Sequence, residues 1–256
     1  MAVDEALFRV LQERGGSPIL RFYGWEKPAL SIGYFQNAER EINLGYCQKS
    51  NLDIVRRPTG GKAVLHDRDL TYSIVSPEVP PFFSPNLIGN YQAICTCLIR
   101  GFAELGIPVG MGEDQRKDAD REMGAICFAF PAPFELLSRG RKICGSAQVR
   151  SRGCFLQHGS IPLDFDPHQN SLCLQSTTKN LDERCTHLKE KVTSVLNETD
   201  VVITQKTLSE VMQRAFEAVW QVRFIEGTLT AEEDRMKNNL LARKYAHPAW
   251  NLGGKI

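Results

Sequence analysis

Apolar residues recur at helical spacing over residues 3–13, where Val3, Leu7, Val10 and Leu11 form one stripe that stops at Gly15-Gly16. This predicts an opening helix. The period then drops to two, which predicts strands over 18–23 and 29–35, a short helix over 38–50, and three short strands over 53–56, 62–66 and 70–75. A Pro-rich connection (Pro77, Pro80, Pro81, Pro85) leads to a long helix from about Asn90 to Leu105, and the charged stretch 114–122 reads as an exposed loop. Strands resume near Ile126. A hairpin follows, with arms over 134–138 and 142–149 turning at Arg139-Gly140, and then a strand over 154–163. The last third carries amphipathic helices over 207–222 and 230–245, with Thr207 or Thr230 as N-caps. Strands in the middle and helices at both ends predict an α+β domain on a mixed or antiparallel sheet. With no flexible linker, residues 1–256 read as one domain, and the C-terminal helices (about 206–256) pack on it.

Composition narrows the class. A chain of 256 residues with 42% hydrophobic residues can bury a substantial core. No stretch approaches the roughly 20 apolar residues of a membrane span, and the N-terminus opens an acidic amphipathic helix instead of a signal sequence. A cytoplasmic protein with no membrane partner is expected. The net charge of +1 gives no global argument for nucleic acid. Two local clusters, Arg56/Arg57/Lys62 and Arg139/Arg141/Lys142/Arg150/Arg152, would suit an acidic partner near a site. The eight cysteines form no dense framework and the five histidines do not fall into metal-ligand spacing, so neither disulfides nor a bound metal is expected.

The run Arg56-Arg57-Pro58-Thr59-Gly60-Gly61-Lys62-Ala63-Val64-Leu65-His66 joins two cations and a rigid turn to a bare backbone, ahead of an apolar strand. Such a loop suits a small anionic or acyl-bearing ligand, although an ordinary Pro-Gly turn has the same letters. Farther on, alternation puts Lys142, Cys144 and Ser146 on one strand face, and an inward lysine needs an anionic or polar partner. His158-Gly159 ends another apolar run. Cys127 precedes Pro131 and Pro133, which break any regular strand, so it sits where the chain changes direction.

These segments together resemble the lipoate-protein ligase A-like (biotin/lipoate ligase) family. The Arg56–His66 run with Leu70-Thr71-Tyr72-Ser73 is similar to its signature loop, and Gly140-Arg141-Lys142-Ile143, Gly145-Ser146-Ala147-Gln148 and Gln157-His158-Gly159-Ser160 to its second signature. Lys244-Tyr245 with Trp250-Asn251 resembles its C-terminal motif. Cys127-Phe128 with Pro131 and Glu135 is similar to the cysteine motif of the octanoyltransferase branch, although Ala132, Phe134 and Lys62 depart from the usual residues.

The resemblance implies a biotin/lipoate ligase-like catalytic domain. It also implies octanoyl transfer from octanoyl-acyl carrier protein, through a cysteine thioester, to the lipoyl-domain lysine of a protein such as the glycine cleavage H protein. No cofactor and no ATP are needed, because the donor thioester is already activated. Cys127 would be the nucleophile and Lys142 the active-site lysine. Arg56, Arg57, Thr59, Gly60, Gly61, His66, Gly145, Ser146, Ala147, His158 and Gly159 would bind substrate, with Gly145 and Gly159 leaving room for the acyl chain. Cys144, two residues from Lys142, and Cys173 stay open as rival nucleophiles. An ATP-dependent lipoate-protein ligase, an amidotransferase between lipoyl domains and a non-catalytic acyl-carrier binding protein remain alternative readings.

Overall fold

The computed structural model describes residues 1–112, 135–175 and 180–254. The expected strand near Ile126, the charged loop 114–122 and Cys127 lie outside them.

The main sheet has the order β1 (Ile19–Tyr23), β5 (Asp69–Pro77), β9 (Cys154–Pro162), β8 (Arg141–Ser151), β7 (Leu136–Ser138), β6 (Val109–Met111), and every neighbouring pair is antiparallel. A smaller sheet joins β2 (Ala29–Ile32) in parallel to β3 (Asp53–Arg56) and antiparallel to β4 (Val64–His66). The expected α+β architecture with a mostly antiparallel sheet is therefore what the chain forms. At the β7–β8 turn Arg139 and Gly140 both take positive φ (47° and 78°), the twist that a two-residue hairpin requires.

The two faces of the main sheet differ because its strands alternate. Leu70, Tyr72 and Ile74 of β5, Phe155 and Ile161 of β9, and Ile143 and Cys144 of β8 face α4 (Leu87–Glu104) and α8 (Gln205–Trp220), forming the largest core with Ile94, Leu98, Phe102, Met212 and Phe216. The opposite face carries Asp69, Thr71 and Ser73 of β5 against Ser160 and His158 of β9, which in turn face Gly145 and Ala147 of β8. α1 (Ala2–Arg14) covers one end of this polar face, where Leu7, Phe8 and Leu11 pack on Val75 and Leu156. Beside them Asp4, which the sequence suggests as part of an acidic helix surface, is fully buried and accepts from Tyr23 (2.7 Å), Ser73 (2.8 Å) and Arg21.

Helix ends follow side-chain caps. Asn86 starts α4 three residues or so before the expected boundary, and Thr204, not Thr207, caps α8. Thr230 caps α9 (Ala231–Leu240) in a full capping box with Glu233, as its position suggests. α2 (Ala38–Glu41) and α3 (Leu44–Lys49) divide the single helix expected over 38–50. The sequence reading passed over α5 (Pro167–Leu172), α6 (Leu181–Lys191) and α7 (Val195–Thr199), which are short and weakly patterned.

The C-terminal motif closes the fold. A π-helix (Leu241–Tyr245) and α10 (Pro248–Asn251) bring Lys244 onto both carboxylate oxygens of Glu5 at 2.9 and 2.8 Å, with its ammonium 3.8 Å from the Trp250 ring centroid. Tyr245 donates to the same carboxylate.

Candidate functional site

Between the polar face of the main sheet and the small sheet lies a cleft of about 480 Å³. Its walls come from the glycine loop and β4 on one side (Arg57, Gly61, Val64, His66) and from β8 and β9 on the other (Lys142, Gly145, Ser146, Ala147, His158, Gly159, Ser160), with Ser31, Thr71 and Glu135 between. Most residues picked out by the sequence thus meet here. Arg56, Thr59 and Gly60 do not line it.

Arg56 has another task. Its buried guanidinium donates to five main-chain carbonyls, those of Gly33 (2.9 Å), Tyr34 (2.8 Å), Gln36 (2.8 Å), Trp250 (3.0 Å) and Leu252 (2.8 Å). It fastens the β2–α2 turn and the C-terminal motif to the root of the glycine loop. Arg57 turns the other way, into the cleft wall, donating to the carbonyls of Ser31 (3.0 Å), Gly60 (3.0 Å) and Lys62 (2.8 Å) and to Ser31 Oγ (2.8 Å). The loop must lie close against β2: a Cβ on Gly33 would sit 1.8 Å from the Gly61 carbonyl oxygen.

Below the loop, polar residues support one another. Asp69 Oδ2 accepts from His66 Nδ1 (2.8 Å), Ser160 (2.6 Å) and Thr71 (3.2 Å), while Trp25 stacks on the His66 ring at 4.2 Å and donates to Thr71 (3.0 Å). His66 Nε2 lies 2.8 Å from the Ser31 hydroxyl, which Arg57 also reaches at 2.8 Å, so the loop arginine and the histidine meet on one serine. Thr59, though off the wall, holds His158 Nε2 at 2.6 Å. Burial pulls His158 below the ordinary histidine pKa despite the Asp4 carboxylate 3.9 Å from its Nδ1. Burial alone would raise Asp4, yet His158, the N-terminal amine and Arg21 together hold it well below the usual carboxylate range.

The alternation expected for Lys142, Cys144 and Ser146 does not hold. Leu136 pairs with Cys144 but Leu137 with Lys142, so Ile143 is an extra residue, a β-bulge that turns the strand by one face. Lys142 therefore lies on the cleft side, across Gly145, where a Cβ would come 2.7 Å from its Cε and 2.9 Å from its Nζ. There it meets Glu135 in a buried ion pair. Cys144 faces the core on the other side, 4.0 Å from Ser146 Oγ, and burial pushes its thiol up to about 12. Gly159 likewise makes room for protein: a Cβ there would fall 2.4 Å from the Tyr72 ring and 2.8 Å from the Gly145 carbonyl oxygen.

Cys173 does not line the cleft. It packs beside Cys47 in the core of the small sheet, and that neighbouring thiol, together with burial, raises it far above a reactive value. The cationic clusters are largely engaged within the fold as well: Arg141 and Arg139 reach the buried Glu198 (2.7 and 3.8 Å), Arg150 pairs with Glu78, and Lys62 with Glu41 (3.2 Å). Among the described residues no group of three or more His, Cys, Asp and Glu side chains could hold a metal ion, and no helix is long and apolar enough to cross a membrane.

Sequence reasoning missed Ser31 on the cleft wall and Asp69 beneath it, and had Thr71 and Ser160 only as members of the signature segments. The signal is period-two alternation, which puts Asp69, Thr71 and Ser160 on the polar face of the main sheet once the pairing of β5 and β9 is known, and Ser31 on β2 of the small sheet. Glu135 was visible only as the end of the cysteine motif.

A two-sheet domain with a glycine loop facing a bulged strand that presents a buried lysine defines the lipoate-ligase class of catalytic domain. A family model described as "Lipoyl protein ligase A/B catalytic domain" matches residues 1–217, and the chain belongs to that family. It is 38% identical over 98% of its length to octanoyltransferase LipM of Geobacillus kaustophilus, and 35% identical over 98% to octanoyltransferase LipM of Bacillus subtilis, covering 92% of each. Among solved structures, the bi-partite lipoate protein ligase of Thermoplasma acidophilum, described together with its E2 lipoyl domain, superposes with a TM-score of 0.81 at 27% identity, over 98% of this chain and 90% of that one. A lipoate-protein ligase A bound with ATP gives 0.80 at 28% identity, over 98% and 92%.

Proposed function

We propose that this chain is an octanoyltransferase of lipoate biosynthesis, moving an octanoyl group from octanoyl-acyl carrier protein to the lysine of a lipoyl domain. The observation that carries the reading is the 35–38% identity to octanoyltransferase LipM proteins over 98% of the chain. The activity is an acyl transfer. Cys127 is the proposed nucleophile: its thiolate attacks the donor thioester and expels the carrier as its thiolate, and the acceptor amine then displaces Cys127 from the acyl carbon, its proton leaving on the Cys127 sulfur. A free thiol titrates near ~8.5, so a cation in reach raises the thiolate fraction at neutral pH. Lys142 is that cation in this account, and it also donates to the oxyanion of each tetrahedral intermediate. The burial of Cys144 and Cys173 away from the cleft supports Cys127 over both. Arg57, Gly61, His66, Gly145, Ser146, Ala147, His158 and Gly159 form the acyl site, while Arg56, Thr59 and Gly60 act through them. The proposed domain is the whole chain.

An ATP-dependent lipoate-protein ligase is the second reading, favoured by the likeness in shape to ligases. The test is transfer from octanoyl-acyl carrier protein to a lipoyl domain with ATP omitted, followed by mass. An octanoylated acceptor supports the proposal, and acylation that requires ATP and free acid overturns it.

A further inference from the structure

Lys142 is 3% exposed and Glu135 7%, and their side chains meet at the cleft wall. An ammonium with so little water around it reverts to the free amine unless an anion faces it. Of the other ionisable groups that line the cleft among the described residues, Arg57, His66, His158 and the amine of Met1 bring no negative charge. Behind Lys142 on its own strand, Cys144 is kept protonated by burial, and Arg141 is engaged by Glu198. The segment after α6 meets the Lys142 main chain, with Thr193 N donating to the Lys142 carbonyl at 2.9 Å. Among the described residues that line the cleft, the Glu135 carboxylate is the anion that pairs with this lysine.

We propose that Glu135 is a positioning residue that keeps Lys142 in its charged form and steers it across Gly145, so that Lys142 serves acyl transfer as a hydrogen-bond-donating cation and not as the base for the incoming amine. This rests on the acyl-transfer reading above. In the second half-reaction the acceptor amine forms the C–N bond and the C–S bond to the enzyme breaks. The proton given up by the amine leaves on the departing sulfur, so the lysine starts and ends the cycle charged.

Two readouts on the full chain test this. The first is the ¹³Cε titration of Lys142 without substrates, assigned by the signal lost in Lys142→Arg. The second is the pH profile of single-turnover octanoyl transfer. The wild-type Lys142 signal stays that of an ammonium from about pH 6 to pH 9, in line with an ordinary lysine or one stabilised by an anion. In Glu135→Gln the titration midpoint falls by about 1–3 pH units and the alkaline fall-off of transfer moves down with it, while Glu135→Asp restores both. A neutral Lys142 in the wild type at pH 7 overturns the proposal even if Glu135→Gln fails to fold. So does an unmoved midpoint in Glu135→Gln, a rate lowered by one constant factor at every pH, or a rate that rises with pH as Lys142 loses its proton. A wild-type chain with no transferase activity defeats the functional reading instead, and the titration still decides whether Glu135 holds Lys142 charged.

Discussion

Replacing Arg56 separates a structural arginine from a substrate-binding one. Its guanidinium holds five carbonyls from two separate parts of the chain, and Arg56→Met leaves all five without that donor. Each lost bond costs about 1 kcal/mol after partial relaxation, so the variant loses on the order of 4–5 kcal/mol, a large share of the roughly 5–15 kcal/mol that holds a domain folded. Arg56→Lys keeps the charge but has three donors for five acceptors, which leaves a loss of about 2 kcal/mol. With a urea m-value of about 3 kcal/mol/M for a domain of this size, the unfolding midpoint drops by about 0.7 M for lysine and about 1.5 M for methionine. Far-ultraviolet circular dichroism and tryptophan fluorescence, read on the same samples, give the midpoints. An unchanged midpoint for Arg56→Lys with weakened donor binding refutes the argument and returns Arg56 to the ligand.

Other consequences follow from single atoms. In Gly145→Ala the new methyl pushes the flexible end of Lys142 aside, so the fold survives while single-turnover transfer falls roughly 10²-fold; a wild-type rate contradicts the placement of Lys142. Gly159→Ala strikes the Tyr72 ring and a main-chain carbonyl, and a lowered melting temperature, equivalent to about 1–3 kcal/mol or more, is expected. Cys144→Ala and Cys173→Ala each retain octanoyl transfer in the same single-turnover assay, and abolition by either one, in a chain that still folds, moves the nucleophile. Asp4, Glu5 and Glu198 are each held below the ordinary carboxylate value by hydrogen bonds and cations that outweigh their burial. Their stabilisation is complete above the unfolded carboxylate range near about pH 4 and fades as pH falls through the lower folded values, so urea midpoints drop steeply only below about pH 4. A flat profile down to about pH 3 contradicts that assignment.

Most strands and the long helices were legible because each buries an apolar stripe: Leu70, Tyr72 and Ile74 alternate with polar residues in β5, and α8 presents Leu208, Val211, Met212, Ala215 and Phe216 on one side, whereas the three-residue β6 is too short to show a period. The cleft was legible as a set of segments but not as roles. Arg56 and Arg57 are adjacent and chemically identical, yet one faces the C-terminal motif and the other the cleft, a distinction set by contacts about 195 residues away in the chain. The bulge at Ile143 was invisible to a period-two reading, since one extra residue reverses the face of everything before it. Asp4 and Glu5 read only as part of an acidic amphipathic helix, and their burial was not legible because their partners, Arg21, Ser73 and Lys244, belong to other elements. Glycines 145 and 159 were read as leaving room for an acyl chain; the groups that lie against them in the fold are Lys142 and Tyr72.

The central claim is a covalent octanoyl-enzyme on Cys127, and the direct measurement is the intact mass of the protein after brief mixing with octanoyl-acyl carrier protein in the absence of ATP, followed by peptide mapping of the hydroxylamine-sensitive adduct. The account predicts one octanoyl group on Cys127, lost when a lipoyl domain is added. No adduct on this cysteine, with acyl transfer to the lipoyl domain appearing only when ATP and free acid are supplied, contradicts it.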